Sequence, residues 1–117
     1  MRVFELINEE RAKAGVAPLE YCYALQPGVD LRAVEISYCF SHTRPDGTKC
    51  YTVTEELGLP VHACGENIAW GYLTPEEVMD GWMNSQGHRE NILRDWFTGV
   101  AVGYDPSTNS WVQMFTF

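Results

Sequence analysis

The chain has 117 residues, of which 45% are apolar and 21% charged, a globular composition that argues against intrinsic disorder. Eight basic against sixteen acidic residues give a formal net charge of −8. This balance disfavours nucleic acid and anionic membrane surfaces as partners, since both need clustered cations. No apolar run approaches the ~20 residues that span a bilayer. We expect residues 1–117 to form a single domain.

The N-terminal half carries helical patterns. Residues 3–14 place apolar side chains at helical spacing, and Gly15 is a natural C-terminal stop. A second helix is predicted over residues 27–38, where a proline stands in the first turn. A short third helix is predicted over Tyr51–Leu57. Between these two helices, residues 40–47 break the pattern with turn chemistry.

The C-terminal half combines helices with strands. The step Thr74-Pro75 predicts a capped helix start, and His88–Leu93 predicts a further helical turn. Alternating residues in Thr98–Tyr104 and Ser110–Phe117 predict an antiparallel hairpin. A hairpin alone is marginally stable, so a third strand is expected, for which Glu66–Gly71 is the best candidate. Helices followed by strands predict an α+β sandwich.

Three polar residues interrupt these well-patterned elements: His42, Glu66 and His88. Histidine is the side chain most easily used for proton transfer or metal binding near neutral pH. Rigid scaffolds often hold functional groups in such polar interruptions. From the sequence alone, however, the capping of a turn is the more ordinary role for each of the three. The third histidine, His62, is expected to lie on the surface in contact with solvent.

The spacing of these residues ranks several kinds of site. His42 and His88 lie 46 positions apart with no H-E-x-x-H motif, which disfavours a closed structural zinc site. An open site with two histidines, a carboxylate and waters is compatible with the sequence. A serine hydrolase using Ser85 and His88 has weak support because no G-x-S-x-G elbow is present. A glycosidase pairing Glu66 with Glu90 is equally weak, because Glu90 and His88 would face different ways.

The tryptophans and cysteines leave open questions. Large aromatic residues more often belong to a core than to a ligand-binding surface, so we expect the tryptophans to be buried; they are Trp70, Trp82, Trp96 and Trp111.

The cysteines form no C-x-x-C pair, which excludes zinc-ribbon and thioredoxin-type sites; they are Cys22, Cys39, Cys50 and Cys64. Their even number is compatible with disulfides, in three alternative pairings, or with free thiols.

Several short segments match one known family in order and spacing. The resemblance covers nearly the whole chain, and its main segments are Leu6–Arg11, Phe40–Gly47, Gly65–Ala69, Trp82–Ser85 and Gly87–Leu93. In these segments the chain resembles the CAP superfamily of cysteine-rich secretory proteins, antigen 5 and plant pathogenesis-related proteins. It looks most similar to the bacterial secreted branch, the SCP-like extracellular domain.

The resemblance implies an α-β-α sandwich with a small central antiparallel sheet and a cleft lined by two histidines and two acids. His42 matches the first histidine, Glu66 the acid of the G-E-N motif, and His88 the second histidine. Ser85 stands where eukaryotic members carry the second acid, which lowers the negative charge of the cleft. No obligatory cofactor is implied, but some members bind a divalent cation, such as zinc, through the histidines.

The resemblance also favours a disulfide between Cys50 and Cys64 over free thiols, and leaves Cys22 and Cys39 unassigned. A bridge closing a loop of about 15 residues contributes on the order of 3 kcal/mol. The family is exported, and residues 1–15 form a charged amphipathic helix rather than a signal peptide. We therefore expect a secreted or cell-surface protein whose export segment has been removed.

The function implied is that of a non-enzymatic extracellular binding module. Its cleft is expected to hold a cation or small ligand through His42, Glu66, Ser85 and His88, while the surrounding surface engages an extracellular protein. The alternative is a peptidase-like hydrolase in which His42, Glu66 and His88 activate a water molecule. Binding of lipid or sterol, known for some relatives, is a third hypothesis.

Overall fold

The computed structural model describes all 117 residues and contains five α-helices and four β-strands. The helices are α1 (Arg2–Lys13), α2 (Gln26–Tyr38), α3 (Thr52–Glu56), α4 (Pro75–Met83) and α5 (Gln86–Leu93). The strands are β1 (Glu20–Tyr21), β2 (Gly65–Trp70), β3 (Gly99–Asp105) and β4 (Ser110–Thr116). None of the helices combines the length and apolar character needed to cross a bilayer.

Every helix and strand predicted from the sequence is present, with ends displaced by at most two residues. The start of α4 forms as expected, because the Thr74 hydroxyl accepts a hydrogen bond of 3.1 Å from the Glu77 amide. Strand β1 and the 3₁₀ turn Tyr23–Leu25 were not predicted. These elements have only two and three residues, which is too short for a pattern of apolar and polar residues to predict them.

The four strands form one sheet in the order β1-β3-β4-β2. Strands β2, β3 and β4 are antiparallel, as predicted, and the short β1 adds a parallel edge beside β3. The hairpin β3–β4 is therefore central, and β2 forms the opposite edge of the sheet. One long side of β2 is left free of strand pairing, and residues 68–70 of this strand line the cavity described below.

Two apolar cores lie on opposite faces of the sheet. Alternation along β4 sends Trp111 and Phe115 to the core shared with α1, α4 and α5. The intervening Val112 and Met114 join the core beneath α2 and α3. Helices thus cover both faces, which confirms the α-β-α arrangement.

Arg11 ties α1 to the end of α5. Its side chain is fully buried, although it lies on the stripe predicted to be apolar. The guanidinium donates hydrogen bonds of 2.7–2.9 Å to the carbonyls of Ala17, Ile92 and Arg94. These carbonyls include orphan acceptors at the α5 C-terminus, so one buried cation satisfies them and fixes the position of α5.

The predicted disulfide between Cys50 and Cys64 is wrong, because all four cysteines are free thiols in the structure. Cys50 is buried in the core beneath α2, whereas Cys64 packs against the core on the other face of the sheet. The Cys64 thiol lies 3.7 Å from the His62 carbonyl. The two sulfurs therefore lie on different sides of the sheet, a separation that loop length does not reveal.

Helix α2 packs directly on the backbone of β3 at Gly103. A Cβ at this position would lie 2.7 Å from the Val29 carbonyl carbon and closer still to its oxygen. We therefore expect Gly103→Ala to lower the free energy of unfolding by about 1–3 kcal/mol, as overpacking does. Urea denaturation measures this loss.

Gly87→Ala is the matched control for Gly103→Ala. Gly87 lies within α5, and no atom lies within 4 Å of the place a Cβ would take. Alanine should therefore leave the stability unchanged or raise it by up to about 1 kcal/mol. Equal stability of the two variants would contradict the close packing of α2 on β3.

Candidate functional site

A buried ion pair joins α2 to the edge strand β2. The Arg32 Nε and Nη2 atoms donate to the two carboxylate oxygens of Glu66 at 2.7 and 3.1 Å. The Arg32 side chain is fully buried and that of Glu66 is 1% exposed. A bidentate guanidinium–carboxylate contact of this kind fixes both side chains in plane and direction.

A second carboxylate, Glu35, lies between two arginines and holds the loop that carries His42. Arg32 donates to Glu35 at 2.9 Å, and Arg44 of the loop donates to both Glu35 oxygens at 2.8–3.1 Å. Burial opposes ionisation of Glu35, but the hydrogen bonds from Arg44 and Arg32 hold its pKa below the usual value. Arg32 also donates to the Ser41 carbonyl at 2.7 Å, so the loop is tied to α2 at two points.

His42 stands on this loop with its ring directed at Glu66. Its Nδ1 atom lies 2.9 Å from Glu66 Oε1, while 57% of the His42 side chain remains exposed. An ionised carboxylate offers only acceptors, so Nδ1 of His42 is the donor. In the neutral ring the proton then resides on Nδ1, and Nε2 carries a free lone pair.

Cys50 lies beside the same carboxylate. The ligand atoms of His42, Cys50 and Glu66 all lie within 4.8 Å of one another, a spacing that would suit a metal ion. Burial and the negative charge of Glu66 raise the pKa of the Cys50 thiol to about 12, which disfavours the thiolate a metal needs. A cation at these three atoms would also sit against the Arg32 guanidinium. The better candidate ligand atom is therefore His42 Nε2.

His88 approaches from the other side of β2, on the first turn of α5. Its Nδ1 atom lies 2.9 Å from the Ser85 hydroxyl, at the residue that precedes the helix. The amide nitrogen of Asn67 on β2 donates to the His88 carbonyl at 3.1 Å and to Gln113 on β4 at 2.9 Å. Helix α5 is thus pinned to the edge strand, with Nε2 of His88 left without a bond to the protein.

The two imidazoles influence each other electrostatically. Burial, and then the charge of His42, lowers the pKa of His88 below its ordinary value. The structure therefore brings the predicted residues His42, Glu66 and His88 to the two sides of one edge strand. Ser85 joins them through its bond to His88.

A cavity of about 320 Å³ lies beside His88, and its lining includes neither His42 nor Glu66. Ser85 and His88 line it together with an apolar floor and aromatic walls. Trp70 stands on the rim of the cavity and is 58% exposed. Trp96 lies elsewhere on the surface and is 50% exposed. The expectation that all four tryptophans are buried is therefore wrong for these two and right for Trp82 and Trp111.

The contact that the serine hydrolase alternative needs is present, with the Ser85 hydroxyl 2.9 Å from His88 Nδ1, whereas the glycosidase alternative finds no support in the geometry. Glu90 is exposed and accepts a hydrogen bond from Gln86 on its own helix at 3.1 Å, rather than facing Glu66. His62 is exposed, as expected. Sequence reasoning did not identify Arg32 and Cys50 as parts of the site. One feature of the sequence could have indicated that Arg32 is buried, because it lies between apolar residues of the predicted second helix.

The chain is similar to proteins of one family. The model of the CAP family, described as the cysteine-rich secretory protein family, matches residues 4–117. The protein YkwD of Bacillus subtilis (strain 168) is 39% identical over 116 residues, covering 97% of this chain and 45% of YkwD.

Solved structures agree with this match. An extracellular protein containing an SCP domain from Bacillus anthracis has a TM-score of 0.89 at 26% identity, covering 97% of this chain and 38% of that one. An outer surface protein of Borrelia burgdorferi shares the fold, with a TM-score of 0.81 at 20% identity over 97% of this chain and 87% of its own. The chain spans less than half the length of YkwD and of the Bacillus anthracis protein.

Removal of Arg32 tests the buried ion pair. We expect Arg32→Met to lower the free energy of unfolding by about 3–5 kcal/mol, because it leaves Glu66 buried without a counter-charge. The double variant Arg32→Met/Glu66→Leu should recover most of this loss. Lys13→Met, which breaks an exposed pair with Glu10, is the control and should cost less than about 1 kcal/mol. Equal losses for Arg32→Met and Lys13→Met in urea denaturation would contradict the account.

An NMR titration of the metal-free protein tests the environment of His88. Its pKa should lie below the ordinary 6.5. In His42→Gln the pKa should rise but stay below 6.5, because burial is the larger cause of the shift. Protonation then favours the unfolded chain, so the stability from neutral His88 is complete above about pH 6.5 and is lost as the pH falls through the folded-state pKa. A pKa at or above 6.5 would contradict the burial of this ring.

Proposed function

This chain belongs to the cysteine-rich secretory protein (CAP) family, and from that premise we propose that residues 1–117 act as one extracellular binding domain whose cleft holds a divalent cation. The extracellular setting is supported by the SCP-domain relative from Bacillus anthracis, which is an extracellular protein. We propose the same location for this chain, with an extracellular protein as the partner of the surface around the cleft.

The observation that carries the proposal is the contact between Glu66 and His42. The Nδ1–H of His42 donates to a carboxylate that Arg32 already holds in place, at 2.9 and 2.7 Å respectively. Metal-binding histidines commonly donate their second ring N–H to a carboxylate, which fixes the tautomer and makes the other nitrogen more basic. His42 is arranged in this way, with Nε2 on its exposed side.

His88 is the proposed second ligand. Its Nδ1 is engaged by the Ser85 hydroxyl, so Nε2 is the atom available to a cation. Two neutral imidazoles suit zinc, whereas calcium and magnesium prefer sets of oxygen atoms that this cleft does not present. Water or a ligand of the partner would complete the coordination. Since Ser85 brings no charge, the affinity rests on the two rings.

The hydrolase alternative has less support. Both oxygens of Glu66 already accept hydrogen bonds from Arg32, and one also accepts from His42, which leaves the carboxylate poorly placed to take a proton from water. His42 Nε2 would have to act as the general base by itself. Oxyanion donors, which an acyl-transfer site also needs, have no candidates among the groups described around the two rings.

Calorimetric titration with zinc tests the proposal. We expect His42→Gln and His88→Gln each to weaken zinc binding at least tenfold, and Glu66→Gln to weaken it about 10–100-fold through loss of the orienting carboxylate. His62→Gln removes an exposed histidine outside the cleft and is the matched control, expected to bind as the wild type does. Identical zinc affinity in the wild type and in a His42→Gln/His88→Gln double variant would refute the cation site.

A further inference from the structure

We propose that the aromatic end of the cleft binds a small, freely dissolved quaternary ammonium compound, and that this binding needs no metal. Four aromatic residues contribute to the cavity wall: Phe40, Trp70, Tyr72 and Trp82. They come from the loop after α2, the end of β2, the following turn and α4. No lysine or arginine lines the cavity.

The two rim residues form an open wedge. The rings of Phe40 and Trp70 have their centroids 6.4 Å apart and are inclined at 43°, so they do not stack flat on each other. Phe40 is 53% exposed and Trp70 58%, which is unusual for two neighbouring large aromatics. Exposed apolar surface concentrated at the mouth of a cavity is typical of a binding site.

The two deeper rings are held in place by the protein. The Trp82 indole N–H donates to the Ile68 carbonyl of the edge strand at 3.1 Å, which fixes the plane of the indole. The Tyr72 ring packs against the backbone at Gly81, where a Cβ would lie 2.7 Å from the ring carbon Cζ. The glycine at this position therefore permits the Tyr72 ring to lie where it does. A ligand would meet these walls already formed, with little entropy left to lose.

The chemistry of the walls selects for a cation without N–H groups. Aromatic faces are negative and attract cations, most effectively when several rings surround a quaternary ammonium. The net charge of −8 adds long-range attraction for cations. A primary ammonium would need three acceptors, but Tyr72, Ser85 and His88 are the only side chains in the wall with an oxygen or a ring nitrogen that can accept, and none of the three carries a negative charge. A methylated ammonium has no N–H to satisfy, and its methyl groups suit the apolar floor.

The size of the cavity indicates a solute rather than a membrane. A volume of about 320 Å³ lies at the small end of the range for ligand pockets. The chain also carries no cluster of basic residues that would hold it at an anionic bilayer. The Ser85 hydroxyl and the His88 ring offer hydrogen bonds to a hydroxyl or carboxylate on the ligand's short substituent.

Choline and its uncharged isostere 3,3-dimethyl-1-butanol, in which carbon replaces the nitrogen, distinguish a cation site from a merely apolar one. Calorimetry is carried out on the full chain with a chelator present, so that failure of zinc binding does not affect the result. We expect choline to bind at least about tenfold more tightly than the isostere, since a desolvated cation–π contact contributes enough for that ratio. Equal or weaker binding of choline, or no binding of it, overturns the proposal.

Trp70→Leu removes one ring face while keeping an apolar side chain on the exposed rim. It should weaken choline binding several-fold and leave the affinity for the isostere almost unchanged. Trp96→Leu is the matched control, since Trp96 is also half-exposed but lies outside the cavity. Loss of choline binding in Trp96→Leu, or its retention in Trp70→Leu, overturns the proposal. So does binding to phosphatidylcholine vesicles without binding to free choline.

Discussion

The Arg32–Glu66 ion pair connects helix α2 to the edge strand β2 beneath the cleft, at 2.7 and 3.1 Å. Several polar contacts of the loop that carries His42 are made to these two residues or to their neighbour Glu35. Glu66 accepts a hydrogen bond from the His42 ring, and Arg32 donates one to the Ser41 carbonyl. Glu35 accepts hydrogen bonds from both Arg32 and Arg44. The loop after α2 is thereby held in one conformation by charge-assisted hydrogen bonds instead of by apolar packing.

Such a network is a costly way to gain stability, because two charges must leave water before they can attract each other. A pair of apolar residues could join α2 to β2 equally well. What the ion pair supplies is direction: the carboxylate fixes which nitrogen of His42 carries the proton. On the opposite side of the strand, uncharged groups of Asn67 and Ser85 position His88. His42 is therefore oriented by a charge and His88 by neutral partners, and the wall of the cavity beside His88 contains no acidic side chain, lysine or arginine.

Much of the fold followed from local sequence patterns, because the helices carry apolar stripes and the hairpin strands alternate. The contact between His42 and Glu66, and the placing of His88 beside the same strand, could be expected only from the resemblance to a family, since nothing local relates residues so far apart along the chain. Two expectations failed for a shared reason. The Cys50–Cys64 bridge and the burial of Trp70 both depend on which face or end of β2 a residue occupies, and neither loop length nor strand membership determines that. Arg32 was missed because a buried cation is recognised by its partner, which comes 34 residues later in the chain.

The tautomer of His42 shows whether the buried carboxylate orients this ring. Nitrogen-15 NMR of the metal-free protein, at a pH where the imidazoles are neutral, distinguishes a protonated ring nitrogen from an unprotonated one. We expect His42 to carry its proton on Nδ1 in the wild-type protein, and Glu66→Gln to remove this preference because an amide can donate as well as accept. A wild-type His42 protonated on Nε2 would contradict this expectation, because the lone pair would then point at the carboxylate and away from the cleft.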